Sequence, residues 1–179
     1  MGTIGAYSLL GFLRWGRTQL VHSRESAGCS GPLLAFVWCL SGLTIRSASE
    51  REIEPVLSLW EAAGGTPSVT DTHEGLLGLL ASDPEALILA ECDGAVVGSL
   101  IAAWDGWRGS FYRLAVHPDQ RREGIATALL REGERRLLAR GAARFTAIVT
   151  DDYLDAMSLW TATGYEHQQN RARFVRNVE

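Results

Sequence analysis

The sequence predicts a mixed α/β fold of the α+β type, in which helices pack against one central sheet. Two observations predict it: helical apolar spacing alternates with short apolar runs, and three of those runs follow one another as a meander. The chain has 179 residues, of which 46% are hydrophobic and 21% charged. This composition is typical of one globular domain.

A strand and two helices come first in this domain. Residues 43–46, Leu-Thr-Ile-Arg, are the candidate for a short strand. Ser47 and Ser49 can cap the following helix, in which Ile53, Val56, Leu57 and Trp60 repeat at helical spacing. Residues 64–67, Gly-Gly-Thr-Pro, end that helix, and a leucine-rich second helix is predicted over 73–81.

Three strands are predicted next, over 87–92, 95–104 and 111–116. Asp93 and Gly94 separate the first two, and Asp-Gly favours the tight turn of a hairpin because that turn needs positive φ. Residues 104–109 predict a second turn, and Pro118 ends the third run. The three strands therefore form an antiparallel meander.

A long amphipathic helix is predicted over 124–140, ended by Gly141. A fifth strand is predicted over 144–149, and a last helix over 153–163 that Asp151 and Asp152 can cap. The tail, 165–178, is expected to supply one or two edge strands.

Residues 1–42 differ from the rest because they hold three Arg, one Glu and 7 of the 19 glycines. Their two apolar runs are shorter than the roughly 20 residues that span a bilayer. A signal peptide is an alternative, although no clear cleavage site follows. We expect residues 1–42 to be a disordered or non-native extension, and residues 43–179 to form the folded domain.

Composition argues against several function classes. The net charge of −4 disfavours a nucleic-acid binder, and the absence of lysine excludes lysine-based chemistry. The three cysteines and four histidines form no metal-binding pattern. We therefore expect a cytoplasmic protein with no metal, nucleic-acid or membrane partner.

The segment 114–127, Leu-Ala-Val-His-Pro-Asp-Gln-Arg-Arg-Glu-Gly-Ile-Ala-Thr, carries the chemistry. It predicts a strand end, a basic loop and a helix that opens at Gly124. The unpaired N–H groups at a helix N-terminus favour an anion, and glycine lets it approach the backbone. Arg121 and Arg122 add positive charge, so a pyrophosphate fits. The alternative is an ordinary connection with two solvated arginines.

This segment resembles the GCN5-related N-acetyltransferase (GNAT) superfamily. The run 121–126, Arg-Arg-Glu-Gly-Ile-Ala, is similar to its acetyl-CoA motif, (Q/R)xxGx(G/A), and Leu-Ala-Val-His-Pro is similar to the end of its fourth strand. The stretch 156–165, Ala-Met-Ser-Leu-Trp-Thr-Ala-Thr-Gly-Tyr, is similar to its second motif. The resemblance extends over 43–178.

The resemblance implies a mostly antiparallel sheet, splayed between strands four and five and flanked by about four helices. The pantetheine arm of acetyl-CoA, the acyl donor, would lie in that gap, and a strand-four N–H would face the thioester oxygen. The implied donor-binding residues are Leu114, Ala115, Val116, Arg121, Arg122, Glu123, Gly124, Ile125, Ala126, Thr127, Tyr153 and Trp160. No metal is implied.

Three positions depart from the family pattern. Trp160 stands where the family often has a tyrosine that protonates the thiolate, Tyr153 replaces an asparagine, and no acid lies on strand five. Tyr112 and Tyr153 are the candidate catalytic residues, with Glu91 and Asp105 as further bases. Each has a purely structural alternative.

The predicted acceptor pocket is the second turn of the meander, where Trp104 and Trp107 flank Asp105, because an aromatic pair around an acid can receive a cation. Two tryptophans packing a hairpin end is the alternative. Residues 64–69 would be the other wall.

These observations predict an acyl-CoA-dependent N-acyltransferase that moves an acetyl group directly to a primary amine. The acceptor would be a small molecule or a peptide. The alternative is a weakly active or inactive acyl-CoA sensor on the same fold. An exposed C-terminal strand would make a homodimer possible.

Overall fold

The computed structural model describes residues 42–150 and 153–177. Residues 1–41 of the predicted extension 1–42 lie outside the described residues. So do the two predicted capping residues, Asp151 and Asp152.

A five-stranded sheet with the spatial order β1-β2-β3-β4-β5 forms the centre of the domain. Strands β1 to β4 pair antiparallel, and β5 pairs parallel with β4. The strands are β1 (Thr44–Ser47), β2 (Leu87–Cys92), β3 (Ala95–Trp104), β4 (Gly109–Val116) and β5 (Phe145–Ala147).

Four α-helices of eight residues or more occur in the described ranges, as the resemblance implied. They are α1 (Ile53–Ala62), α2 (His73–Ser82), α3 (Ile125–Ala139) and α4 (Leu154–Ala162). Short 3-10 turns precede α1 at Glu50–Glu52 and follow β4 at Pro118–Gln120. The order of strands and helices from β1 to α4 is therefore the one predicted from the apolar spacing.

The sheet has one hydrophobic cluster on each face. Leu129, Leu130 and Leu137 of α3 pack with Phe111 and Trp160 in one cluster. On the other face, side chains of α1 and α2 pack on Leu87 and Leu89 of β2. Because both faces of β2 are covered, its residues read as a continuous apolar run rather than an alternating one.

A buried carboxylate ties β1 to the start of α1. Glu52 is 7% exposed, and its carboxylate accepts hydrogen bonds from Ser49, Arg46 and Arg51. Burial would raise the pKa of Glu52, but these donors prevail and lower it to about 2. Arg46 also pairs with Glu91 of β2, so Glu91 is bound in this network.

The fourth and fifth strands diverge. Residues Gly109, Ser110 and Phe111 of β4 pair with Phe145, Thr146 and Ala147 of β5. The remaining residues of β4 continue alongside β3 without a β5 partner. The predicted splay is therefore confirmed, and it opens toward the C-terminal end of β4.

The tail is the main difference from the expected secondary structure. No strand occurs over 165–177, and Phe174 and Val175 are exposed. The physical reason is the polar run 166–171, which has no apolar alternation to bury against the sheet. The prediction of C-terminal edge strands is wrong, and β5 is also shorter than predicted.

Candidate functional site

The candidate site is the gap beside the second half of β4, residues 112–116. A bulge marks its start, because β4 has one more residue than β3 between the pairs Ile101–Tyr112 and Ser99–Ala115. Arg113, in this bulge, has a φ of +51°, which is rare for a residue with a side chain.

The bulge turns one peptide toward the gap. The Arg113 carbonyl accepts a hydrogen bond from the Ser99 hydroxyl on β3 at 3.3 Å. The chain has no cis peptide bonds in the described part, so the N–H of Leu114 points the opposite way, toward the side where β5 has diverged. Farther along β4, the Val116 carbonyl accepts a hydrogen bond from the Arg121 side chain. This carbonyl therefore also points away from β3.

The N-terminus of α3 lies at the open end of the gap. Gly124 caps it with a φ of +79°, and a Cβ built there would meet no atom within 4 Å. No side chain therefore covers the backbone at Gly124, and the first amides of α3 have no acceptor within the helix, as an anion site requires. Ala126 and Thr127 are half-buried, whereas the Ile125 side chain is in the core, so only its backbone belongs to this mouth.

The two loop arginines differ in what they contact. Arg121 donates to the carbonyls of Ala63 and Val116, so its side chain braces the loop against the end of α1. Arg122, at a φ of +69°, pairs with Asp155 of α4, and both side chains are exposed. Of the two predicted anion ligands, Arg122 alone has an exposed partner that an anion could displace.

The loop between α1 and α2, predicted over 64–69 as a wall of the acceptor pocket, contacts the bulge of β4 and the start of α4. The Tyr153 hydroxyl, at the start of α4, donates to the Gly64 carbonyl at 2.8 Å. Arg113 donates to the Thr66 carbonyl and pairs with Asp71. This loop is thereby held against both the bulge and α4.

Two aromatic residues from the predicted set have contrasting surroundings. Tyr112 directly precedes the bulge and is 44% exposed, so its ring is accessible. Trp160 is 8% exposed and packs on Phe111 and Tyr165, with ring centroids 5.9 Å and 4.8 Å away. The structure gives Trp160 a place in the core, and the hydroxyl of the neighbouring Tyr165 donates to Glu134.

The structure does not bring Trp104, Asp105 and Trp107 to the gap. Their turn adjoins the C-terminal end of α3 and precedes the closed end of β4. Gly124 opens the same helix, and 15 residues at about 1.5 Å each separate its ends by roughly 20 Å. Asp105 accepts from the backbone N–H groups of Trp107 and Arg108, which lower its pKa, so it stabilises the turn.

That turn borders a shallow cavity of about 450 Å³. Arg108 stacks on Trp107 there, 3.7 Å from the ring centroid, and Arg140 pairs with Asp83. Trp107 is 66% exposed, and the aromatic pair lies beside three arginines, which is a poor surrounding for a cationic amine. Lining residues are Trp104, Gly106, Trp107, Arg108, Arg140, Gly141, Ala143 and Arg144.

Sequence reasoning missed the residues behind the bulge: Ser99, Trp60, Arg113 and Asp71. Ser99 had a signal, since it is a lone hydroxyl in an apolar strand and is fully buried. No sequence pattern indicated the Arg113–Asp71 ion pair, because the two residues are 42 positions apart along the chain.

Neither a metal site nor a membrane helix is found in the described residues. No group of three His, Cys, Asp or Glu side chains there could hold a metal ion. No helix within 42–150 and 153–177 is both long and apolar enough to cross a bilayer.

Comparison with known proteins identifies the family. The model of the acetyltransferase (GNAT) family matches residues 53–165. An acetyltransferase of Yersinia enterocolitica is 36% identical over 126 residues, which cover 70% of this chain and 89% of the relative. The chain belongs to the GNAT acetyltransferase family. The predicted family and the prediction of an acetyltransferase are confirmed.

Solved structures share the fold of the family. Ard1 from Thermoplasma volcanium has a TM-score of 0.63 at 22% identity, and the match covers 69% of this chain and 82% of Ard1. The aminoglycoside N-acetyltransferase AAC(6')-Iy, solved with CoA, has a TM-score of 0.59 at 20% identity, covering 75% and 94%. These similarities confirm the predicted fold class.

Proposed function

We propose that this acetyltransferase is an acyl-CoA-dependent N-acyltransferase that uses acetyl-CoA and transfers the acetyl group directly to a primary amine. The observation that carries the proposal is the gap beside residues 112–116 of β4, which leads to the N-terminus of α3, where no side chain caps the first amides. The gap suits an extended chain, and the amides suit an anion at its end.

The backbone, rather than side chains, would hold most of the donor. The strand residues Leu114, Ala115 and Val116 would pair with the amides of the pantetheine arm, as an added strand pairs with a sheet edge. The pyrophosphate would accept from the amides of 122–127, with Arg122 adding charge. Arg121 would act indirectly, by bracing the loop through Ala63. The CoA bound to AAC(6')-Iy, which shares this fold, supports the same donor class here.

The reaction would be a nucleophilic acyl substitution. The neutral amine attacks the thioester carbon, and its oxygen becomes an oxyanion that the Leu114 N–H stabilises. The tetrahedral intermediate collapses, the C–S bond breaks, and the nitrogen loses a proton. Because a thiol pKa is near ~8.5, the CoA thiolate leaves with only partial help from an acid.

Proton transfer would fall to Tyr153 or Tyr112. Tyr153 is favoured because its hydroxyl is held at the gap, on the Gly64 carbonyl. Tyr112 is exposed beside the bulge. A general acid or base increases the rate by a factor of about 10²–10⁴, so we expect a low kcat if neither tyrosine transfers a proton.

The acceptor would bind at the α1–α2 loop rather than at the Trp104–Trp107 turn. That loop is in contact with the bulge through Arg113. We propose a small-molecule or peptide amine as the acceptor. Aminoglycosides are the acceptors named for a protein of this fold, AAC(6')-Iy, and make sensible first members of a panel.

A second candidate function is an acyl-CoA sensor. The specific observation in its favour is Trp160, which occupies the core where the family often places a tyrosine acid. The same donor site would then bind acyl-CoA with little turnover.

One assay separates the two functions. The purified protein is incubated with acetyl-CoA and a panel of aminoglycosides, polyamines and peptide N-termini, and free thiol is measured. Amine-dependent thiol release well above hydrolysis supports the enzyme. Saturable acetyl-CoA binding without release from any amine supports the sensor, and no binding overturns both.

Location and assembly complete the proposal. We place the protein in the cytoplasm, which fractionation of cells checks. An exposed C-terminal strand was the reason to expect a homodimer, and residues 165–177 contain no strand. Light scattering measures the assembly directly.

A further inference from the structure

Ser99 and Trp60 form a directed pair of hydrogen bonds behind the bulge. The indole N–H of Trp60 donates to the Ser99 hydroxyl at 2.8 Å, and this hydroxyl donates to the Arg113 carbonyl at 3.3 Å. Ser99 is fully buried and Trp60 is 5% exposed. Water therefore has little access to the bond between Trp60 and Ser99, and the bond to the Arg113 carbonyl is partly buried.

The direction of these bonds follows from the groups involved. An indole nitrogen only donates, and a peptide carbonyl only accepts. The single hydroxyl proton of Ser99 must therefore point at the Arg113 carbonyl, while its oxygen accepts from Trp60. The chain of donors has one orientation, and it ends on the bulge peptide.

The orientation of that peptide matters for the proposed reaction. Arg113 has a strained φ of +51°, so its peptide needs an external partner to stay in place. With the carbonyl held toward β3, the N–H of Leu114 faces the gap. The charge that develops on a thioester oxygen would need a donor held in advance at this position.

We propose that Ser99, supported by Trp60, is a positioning residue that orients the Leu114 N–H as the oxyanion donor. This inference rests on the proposed function. Both side chains lie behind the bulge and would act on the substrates through it. Ser99 acts through the Arg113 carbonyl, and Trp60 acts through Ser99 and through the Arg113 guanidinium, which lies 5.2 Å from its ring centroid.

The test compares Ser99→Ala with Ile88→Val. Ser99→Ala leaves the buried Trp60 N–H without a partner and so lowers stability. Ile88→Val is the stability control, since Ile88 is fully buried on β2, which does not pair with β4, and its cross-strand partners are Ser47 and Leu100. We expect Ser99→Ala to lower kcat about tenfold with less than a threefold change in the KM for acetyl-CoA, and Ile88→Val to change neither.

A spectroscopic readout separates positioning from stability. The carbonyl stretch of bound ¹³C-labelled acetyl-CoA is measured by difference infrared spectroscopy. A hydrogen bond lowers this frequency, so Ser99→Ala is expected to move it toward its value in free acetyl-CoA. Trp60→Phe is expected to give a smaller shift, and Trp60→Phe combined with Ser99→Ala no more than Ser99→Ala alone.

An unchanged frequency in Ser99→Ala, or a loss of kcat equal to that of Ile88→Val, overturns the inference while the proposed function stands. A wild-type protein that binds acetyl-CoA but acetylates no amine overturns the enzyme, and the infrared shift still decides the role of Ser99. A wild-type protein that binds no acetyl-CoA overturns both.

Discussion

The two halves of β4 differ in what they pair with. The first half, Gly109–Phe111, pairs with β5 and lies over Leu137 and Trp160, so it is part of the core. The second half, from Tyr112 onward, passes through a bulge and leaves one edge without β5. Under the proposed function, adjacent residues of one strand would thus serve stability and donor binding separately. Substitutions in the two halves should therefore affect different measurements.

The largest effect is expected at the open end, from Gly124→Asp compared with Gly124→Asn. Both residues tolerate the left-handed backbone and have nearly the same shape, so the pair differs in charge and in the N–H donors of the asparagine amide. We expect the aspartate to weaken acetyl-CoA binding about 100-fold relative to the asparagine, because it faces the pyrophosphate. Calorimetry measures both affinities. Equal affinities would contradict the anion site.

Acid stability should depend on Glu52, far from both halves of β4. Its folded pKa of about 2 is below its usual value of 4.5, so it stabilises the fold fully above pH 4.5. This stability is lost as the pH falls from 4.5 toward 2. Glu52→Gln is expected to lower the free energy of unfolding by about 2 kcal/mol at pH 7. Urea unfolding at pH 7, 4 and 3 measures it, and an unchanged slope with pH would contradict the assignment.

At the closed half, Gly109→Ala is expected to affect stability and spare binding. An added Cβ would lie 2.6 Å from a methyl carbon of Leu137 and 2.9 Å from a ring carbon of Phe145. Such overpacking costs about 1–3 kcal/mol. Gly78→Ala is the control, since nothing lies within 4 Å of that Cβ in α2. Urea unfolding and acetyl-CoA affinity are measured together. A binding loss larger than threefold would show that the halves are coupled.

Tyr153→Phe and Tyr112→Phe test which phenol serves the open half. We expect Tyr153→Phe to lower kcat about tenfold, at the low end for a proton-transfer group, because it removes the hydroxyl held on Gly64. Tyr112→Phe should have a smaller effect. Steady-state kinetics across pH 6 to 9 gives the comparison. Equal kcat values in both variants and the wild type would leave proton transfer to solvent.

The smallest effect is expected from Asp155→Asn. This change releases Arg122 from an exposed ion pair, which is worth at most about 1 kcal/mol. The freed guanidinium should strengthen acetyl-CoA binding two- to threefold, with Asp155→Glu as the charge-preserving control. Titration at low and high salt measures it. Weaker binding in Asp155→Asn would mean that the pair holds the loop in its binding shape.

Local patterns predicted most of the fold because each is decided by neighbouring residues. The Asp93-Gly94 turn and the apolar spacing of α1 and α3 are examples. The prediction of strands in the tail was wrong because a strand needs a neighbouring strand to pair with, and no local sequence pattern shows whether one is present. The helix start at Gly124 was predicted from its motif and is confirmed. The acceptor wall was assigned to the Trp104 turn, which lies at the other end of α3.

The sequence by itself determined the order of the elements, the basic loop before a glycine-capped helix, and the family. These depend on turn chemistry and periodicity, which act over a few residues. Only the tertiary structure decided which wall faces the bulge, that Trp160 is a core residue, and that Ser99 holds the Arg113 carbonyl. The physical reason is distance along the chain: Trp60, Ser99 and Arg113 are brought together by the packing of α1 on the sheet.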